Sequence, residues 1–144
     1  MNLEEATKLE IGETIFYEYV ECEVKSEVRN CGNSNKCISI QNAGLLYGAH
    51  IREIFLPTEH VKKTSNMVAE KRKEFSEMNY HGANINPTIF GLFEDYWINM
   101  CSSEGNDAEY QLHKVAFEDF IEKLFKVAKT VNSAVVMDIP YLRR

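Results

Sequence analysis

The stretch TIFYEYVECEVKSEV, residues 14–28, decides the fold class of this chain. It opens on β-branched and aromatic residues, which suit a pleated, half-buried surface. Val20, Cys22, Val24, Ser26 and Val28 then alternate with Glu21, Glu23, Lys25 and Glu27. A period of two sends one set of side chains to a core and the other to water. The run of 15 residues exceeds the usual strand of about five or six, so two strands, or one strongly bent strand at a barrel corner, are expected.

Working outward, LEEATKL (3–9) reads as a short helix capped by Asn2, with Glu5 as the capping-box partner and Gly12 as the break. Downstream, NCGNSNK (30–36) reads as a turn, in which Gly32 and Asn33 accept positive φ. KCISIQ, GLLYG and HIREIFL follow as short apolar runs closed by Pro57. Four or five strands over residues 13–56 make a small antiparallel meander or barrel.

After Pro57 the pattern turns helical. Thr58 or Ser65 caps a helix running to about Met78, and Asn86-Pro87 starts a second that sets Ile89, Phe90, Phe93, Trp97 and Met100 along one side. Asn106 and Glu109 form a second capping box for residues 107–131, where Tyr110, Phe117, Phe120, Ile121, Leu124, Phe125, Ala128 and Val131 recur at helical intervals. AVVMDI (134–139) is expected as a short C-terminal strand. The expected class is therefore α+β: an N-terminal antiparallel barrel or meander (1–57), then three helices and a strand (58–144), in one domain.

The 144 residues carry 44% hydrophobic and 26% charged side chains, an ordinary globular balance. The net charge of −6 is concentrated in residues 1–28, where eight Glu face Lys8 and Lys25, while residues 60–73 are basic. This acidity argues against a nucleic-acid partner, whose backbone is bound by neutralising phosphates. No apolar run reaches the roughly 18 residues of a membrane span, and MNLEEATKLEIGETIF lacks the basic start and apolar core of a leader, so a cytoplasmic protein is expected. Cys22, Cys31, Cys37 and Cys101 are then reduced thiols, mostly structural. Cys31 and Cys37 flank a turn and can face each other, which keeps a metal site or redox pair as the lesser reading. No Cys-x-x-Cys supports zinc.

Gly12, Glu13, Ile15 and Tyr17, and then Phe55, Leu56 and Thr58, resemble two phrases of the small SH3-like or Sm-like barrels of phages and mobile elements, with Pro57 interposed. The resemblance covers about the first 60 residues. It implies a binding module, virus-encoded, and transfers no catalytic residue, since fold does not fix function.

Three functional readings follow. The leading one is a non-enzymatic binding protein without cofactor or metal, a phage-encoded inhibitor of a host antiviral defence protein, in which Glu18, Glu21, Glu23 and Glu27 meet the partner. The second is a homo-oligomeric binder or sponge of a small signalling nucleotide, using Lys62, Lys63 and Arg72 with Tyr80, His81, Asn84 and Asn86 of the YHGANIN loop. Ordinary turn geometry and a solvated helix face explain those same residues. The third is a small enzyme built on the i,i+4 pair Glu109 and His113, or on a cysteine. A surface pair is the simpler account of the former. Nucleotide loops of the Gly-x-x-x-x-Gly-Lys-Ser/Thr and Gly-x-Gly-x-x-Gly designs are absent from the sequence.

Overall fold

A computed structural model describes residues 1–78 and 87–130. The protein is α+β, with a six-stranded curled antiparallel sheet, a half-barrel, followed by three helices. The chain divides into two compact units, Met1–Lys63 and Thr64–Arg144. The C-terminal strand expected at 134–139 lies outside the described residues.

In the first unit a short helix, α1 (Leu3–Thr7), is held by the expected capping box: Asn2 Oδ1 accepts from the Glu5 amide at 2.8 Å, and Glu5 Oε1 accepts from the Asn2 amide at 3.1 Å. The long alternating run is two strands, β1 (Thr14–Tyr17) and β2 (Val20–Val24). They are joined at Glu18 and Tyr19, both at positive φ (49° and 54°). A two-residue turn of that kind matches the right-handed twist of the strands it joins. Its residues are neither Gly nor Asn, which is why the sequence carried no turn signal there. β2 stops at Val24, so Val28 lies beyond the strand.

Four further strands complete the sheet: β3 (Arg29–Asn30), β4 (Lys36–Asn42), β5 (Leu45–His50) and β6 (Ile54–Phe55). The order is β3-β4-β2-β1-β6, and β5 pairs along β4. HIREIFL is thus not one strand. The end of β5 passes into a 3-10 turn, Ile51–Glu53, before the two residues of β6. Ala43 (φ 49°) and Gly44 (φ 83°) make a second two-residue hairpin turn.

One sheet face forms the core: Ile15, Cys22, Val24, Ile38, Ile40, Ala49 and Ile54 are buried together with Ala6 of α1. Alternation explains this set, because these positions share one side of their strands. On the other face Arg29 donates to Ser39 Oγ at 2.6 Å and to Ser26 Oγ at 3.1 Å. Its guanidinium lies over Gly48, where an added Cβ would stand 3.4 Å from Arg29 Nη2.

The four cysteines, expected as reduced thiols, differ in state. Cys22 and Cys101 are buried thiols, whereas Cys31 and Cys37 are joined as a disulfide with Cα atoms 5.8 Å apart. The turn at Gly32, Asn33 and Ser34, all at positive φ, folds the chain back tightly enough to bring them together.

The helices are α2 (Glu59–Met78), α3 (Pro87–Ser102) and α4 (Asp107–Thr130). Thr58 Oγ1 accepts from the Val61 amide at 3.2 Å, and Asn106 Oδ1 accepts from the Glu109 amide at 3.1 Å, so both N-termini are capped as the sequence indicates. The second unit is built around aromatic side chains. Phe93 meets Phe120 edge-on at 5.5 Å and Phe117 at 6.2 Å, and Phe75 stacks on Phe125 at 6.2 Å. Trp97 is fully buried and donates to Ser65 Oγ at 2.9 Å. Of the α4 positions expected to face inward, Phe117, Phe120, Ile121, Leu124 and Ala128 are buried, Tyr110 and Phe125 half-buried.

Two stability outcomes follow. Phe93→Ala should cost about 3–5 kcal/mol, read by Trp97 fluorescence during urea unfolding; a loss below about 1 kcal/mol would contradict this packing. Ala43→Asn should raise stability by on the order of 1 kcal/mol, because Asn tolerates the left-handed conformation that costs Ala, and a lowered urea midpoint would contradict the turn geometry.

Candidate functional site

The register of β2 on β4 places the candidate site. Glu23 pairs with Gln41 and Val24 with Ile40. Continuing that register toward the start of β2 brings Val20 level with Gly44. A side-chain bond fixes the alignment there, since Asn42 Nδ2 donates to the Glu21 carbonyl at 2.6 Å. The Glu18–Tyr19 and Ala43–Gly44 turns therefore lie at the same end of the half-barrel.

That end is apolar. Val20 is 44% exposed, Leu45 61%, Leu46 65% and Tyr47 41%. Tyr47 leans on Tyr17, with ring centroids 6.4 Å apart. Leu45 and Tyr47 lie on the core side of β5 and Leu46 on the other, so the hairpin end presents hydrocarbon on both faces. Among the described residues β5 pairs with β4 alone. Edge strands of native proteins usually carry charge or proline. This one carries Leu, Leu and Tyr.

Carboxylates line β2 and the turn that precedes it. Glu18, Glu21, Glu23 and Glu27, expected from sequence to meet a partner, are all exposed. Glu18 sits in the first turn, and Glu21 and Glu23 share one side of β2. Glu27 lies past the strand end. Lys25 approaches Glu23 at 2.9 Å, a partly exposed pair of the kind worth little to stability. The acidic field is felt locally: burial pushes the Cys22 thiol up, and the Glu18 and Glu21 carboxylates push it further while a backbone hydrogen bond at Tyr17 opposes them.

The other expected site residues do not converge among the described residues. Lys62 is within 3.8 Å of Glu59, and the Arg72 guanidinium lies 4.3 Å above the Phe90 ring, a packing role. Lys63 is exposed on α2. Tyr80, His81, Asn84 and Asn86 lie outside the described residues. His113 Nε2 and Glu109 Oε1 are 3.6 Å apart on the exposed side of α4, as a simple i,i+4 pair. Burial pushes the Cys101 thiol up to about 12, with Glu104 adding to the effect, so it is a poor nucleophile at neutral pH. No described helix is long and apolar enough to cross a membrane.

The exposure of Glu21 and Glu23 follows from strand alternation, whereas the apolar end carries no such signal. Leu45, Leu46 and Tyr47 read as an apolar strand, and they stand exposed at the turn end of β5, which pairs with β4 alone among the described residues. Comparison with protein-family models, curated proteins and solved structures finds no match.

Thiol reactivity checks this description. Unreduced native protein at pH 8 should react slowly with an aromatic disulfide reagent, and unfolding should release the two thiols of Cys22 and Cys101. Fast native labelling mapped to either residue would contradict their burial and raised pKa.

Proposed function

We propose that this chain is a non-enzymatic protein-binding module, and that its recognition surface is the apolar end of the two hairpins together with Glu18, Glu21 and Glu23 of β2 and its turn. The observation that carries the reading is the exposure of Leu45, Leu46 and Tyr47 on an edge strand beside those carboxylates. Large apolar groups gathered on a protein surface mark interaction sites, and tyrosine at the centre of such a patch is a frequent hot spot. Acidic groups around an apolar centre act mainly on encounter rate and partner choice. The fitting partner is a protein with an apolar pocket bordered by Arg and Lys. The likeness of residues 12–58 to phage barrel proteins supports a host antiviral defence protein as that partner, with inhibition by occupancy of its surface.

This reading gives a paired test on the full chain. Wild-type protein should retain a stoichiometric partner from host lysate, and Leu46→Asp should lose it at unchanged Tm. The double variant Glu18→Lys, Glu21→Lys should slow association with that partner by roughly tenfold or more at low salt and flatten its salt dependence. Retention of the same partner by both variants, or no stoichiometric partner for the wild type, would sink the proposal.

A further inference from the structure

At the other end of β5, away from the recognition surface, three metal-ligating side chains meet. His50 Nδ1 is 3.8 Å from Cys31 Sγ and 3.7 Å from Cys37 Sγ. Among the described residues this is the group of His, Cys and carboxylate side chains close enough to share one ion. The sheet explains the meeting. The β4–β5 register sets His50 opposite Cys37, and the β3–β4 register sets Arg29 opposite Cys37 and Asn30 opposite Lys36. Cys31 follows Asn30 directly and is returned toward Cys37 by the Gly32-Asn33-Ser34 turn. Backbone bonds hold that turn without help from sulfur: the Cys31 amide donates to Asn35 O at 3.0 Å and the Asn35 amide to Gly32 O at 2.9 Å.

The distances suit a zinc-type tetrahedron. With Zn–S near 2.3 Å and Zn–N near 2.0–2.1 Å, each sulfur-to-nitrogen edge is about 3.6 Å. The imidazole already stands at that separation from both sulfurs. Only the sulfur atoms must part, to about 3.8 Å, and Cα atoms 5.8 Å apart leave room for that rotation. Beside His50 opens a cleft of about 190 Å³ lined by Ser34, Asn35, Lys36, Ile51 and Arg52. It gives a solvent ligand access to the fourth position. A divalent ion bound to two thiolates brings no net charge to a corner that already holds Lys36 and Arg52. Thiolate donors with one imidazole select zinc-like ions over magnesium or calcium.

We infer that Cys31, Cys37 and His50 form a redox-gated site for a soft divalent cation of the zinc type, closed while the disulfide is intact. In the opening step a thiol-class reductant supplies two electrons and two protons. The S–S bond breaks, two thiols form, and the reductant leaves as its own disulfide. The cation then displaces the two thiol protons to the buffer and is held by both sulfurs and His50 Nδ1. A disulfide-class oxidant reverses the sequence: it takes two electrons, the Cys31–Cys37 bond re-forms, and the ion is released.

Cobalt(II) is the probe, because tetrahedral thiolate coordination gives intense visible bands and a near-ultraviolet sulfur-to-metal band. Full-length protein reduced with a phosphine and desalted without oxygen should bind one cobalt per chain with those bands, and zinc should displace it. The unreduced protein should show none. Cys31→Ser should abolish the sulfur-to-metal band, His50→Ala should weaken binding by roughly tenfold or more, and Cys101→Ala should leave it unchanged. The inference is overturned if reduced wild-type protein gives no thiolate band, or if Cys31→Ser and His50→Ala bind as wild type does. Wild-type protein compared before and after reduction keeps the test decisive even where a variant folds poorly.

Discussion

The pairing of Val24 with Ile40 fixes most of what this protein presents to its surroundings. Both side chains are fully buried, and burying residues of this size is worth about 1.5–3 kcal/mol each. A slip of β2 by one residue against β4 would turn Cys22 and Val24 outward and bring their charged neighbours Glu21 and Glu23 to the side of Ile38 and Ile40. The same pairing decides which loops are neighbours. It sets the start of β2 beside the end of β4, and so draws two hairpin turns, an exposed apolar end and a cluster of carboxylates into one place.

Much of the fold was legible in residue patterns. The capping box at Asn2, the side-chain cap at Asn106, the helix start at Pro87 and the aromatic stripe of α4 are local signals, and each acts within a few residues of its cause. The break between β1 and β2 was not legible as a turn, because Glu18 and Tyr19 adopt positive φ without the Gly or Asn that usually announces it. The 3-10 turn at Ile51–Glu53 was hidden in the same way, inside an apolar run that reads as a strand. In both places the sheet's pairing overrides weak local preference.

The sites divide along the same line. Exposed glutamates in an alternating strand can be counted from sequence, since alternation alone puts them outside. Exposure of Leu45 and Leu46 depends on which strands pair with β5, which no local pattern encodes. The cluster of Cys31, Cys37 and His50 was least visible. Its spacing matches no short zinc motif, because His50 reaches the sulfurs through strand pairing across the β4–β5 hairpin. A charged, apolar-tipped end lies at one side of the sheet and a sulfur–imidazole corner at the other, the first carrying the proposed binding surface and the second the inferred metal site.

The register itself is open to direct measurement. In antiparallel sheets the α-protons of a non-hydrogen-bonded pair lie close together. Val24 and Ile40 are such a pair, flanked by the Lys25 amide's bond to Ser39 O at 2.8 Å. A nuclear Overhauser spectrum of the full chain should show a strong contact between the α-protons of Val24 and Ile40. A contact from Val24 to the α-proton of Ile38 or Asn42 in its place would shift the two turns apart and contradict the account.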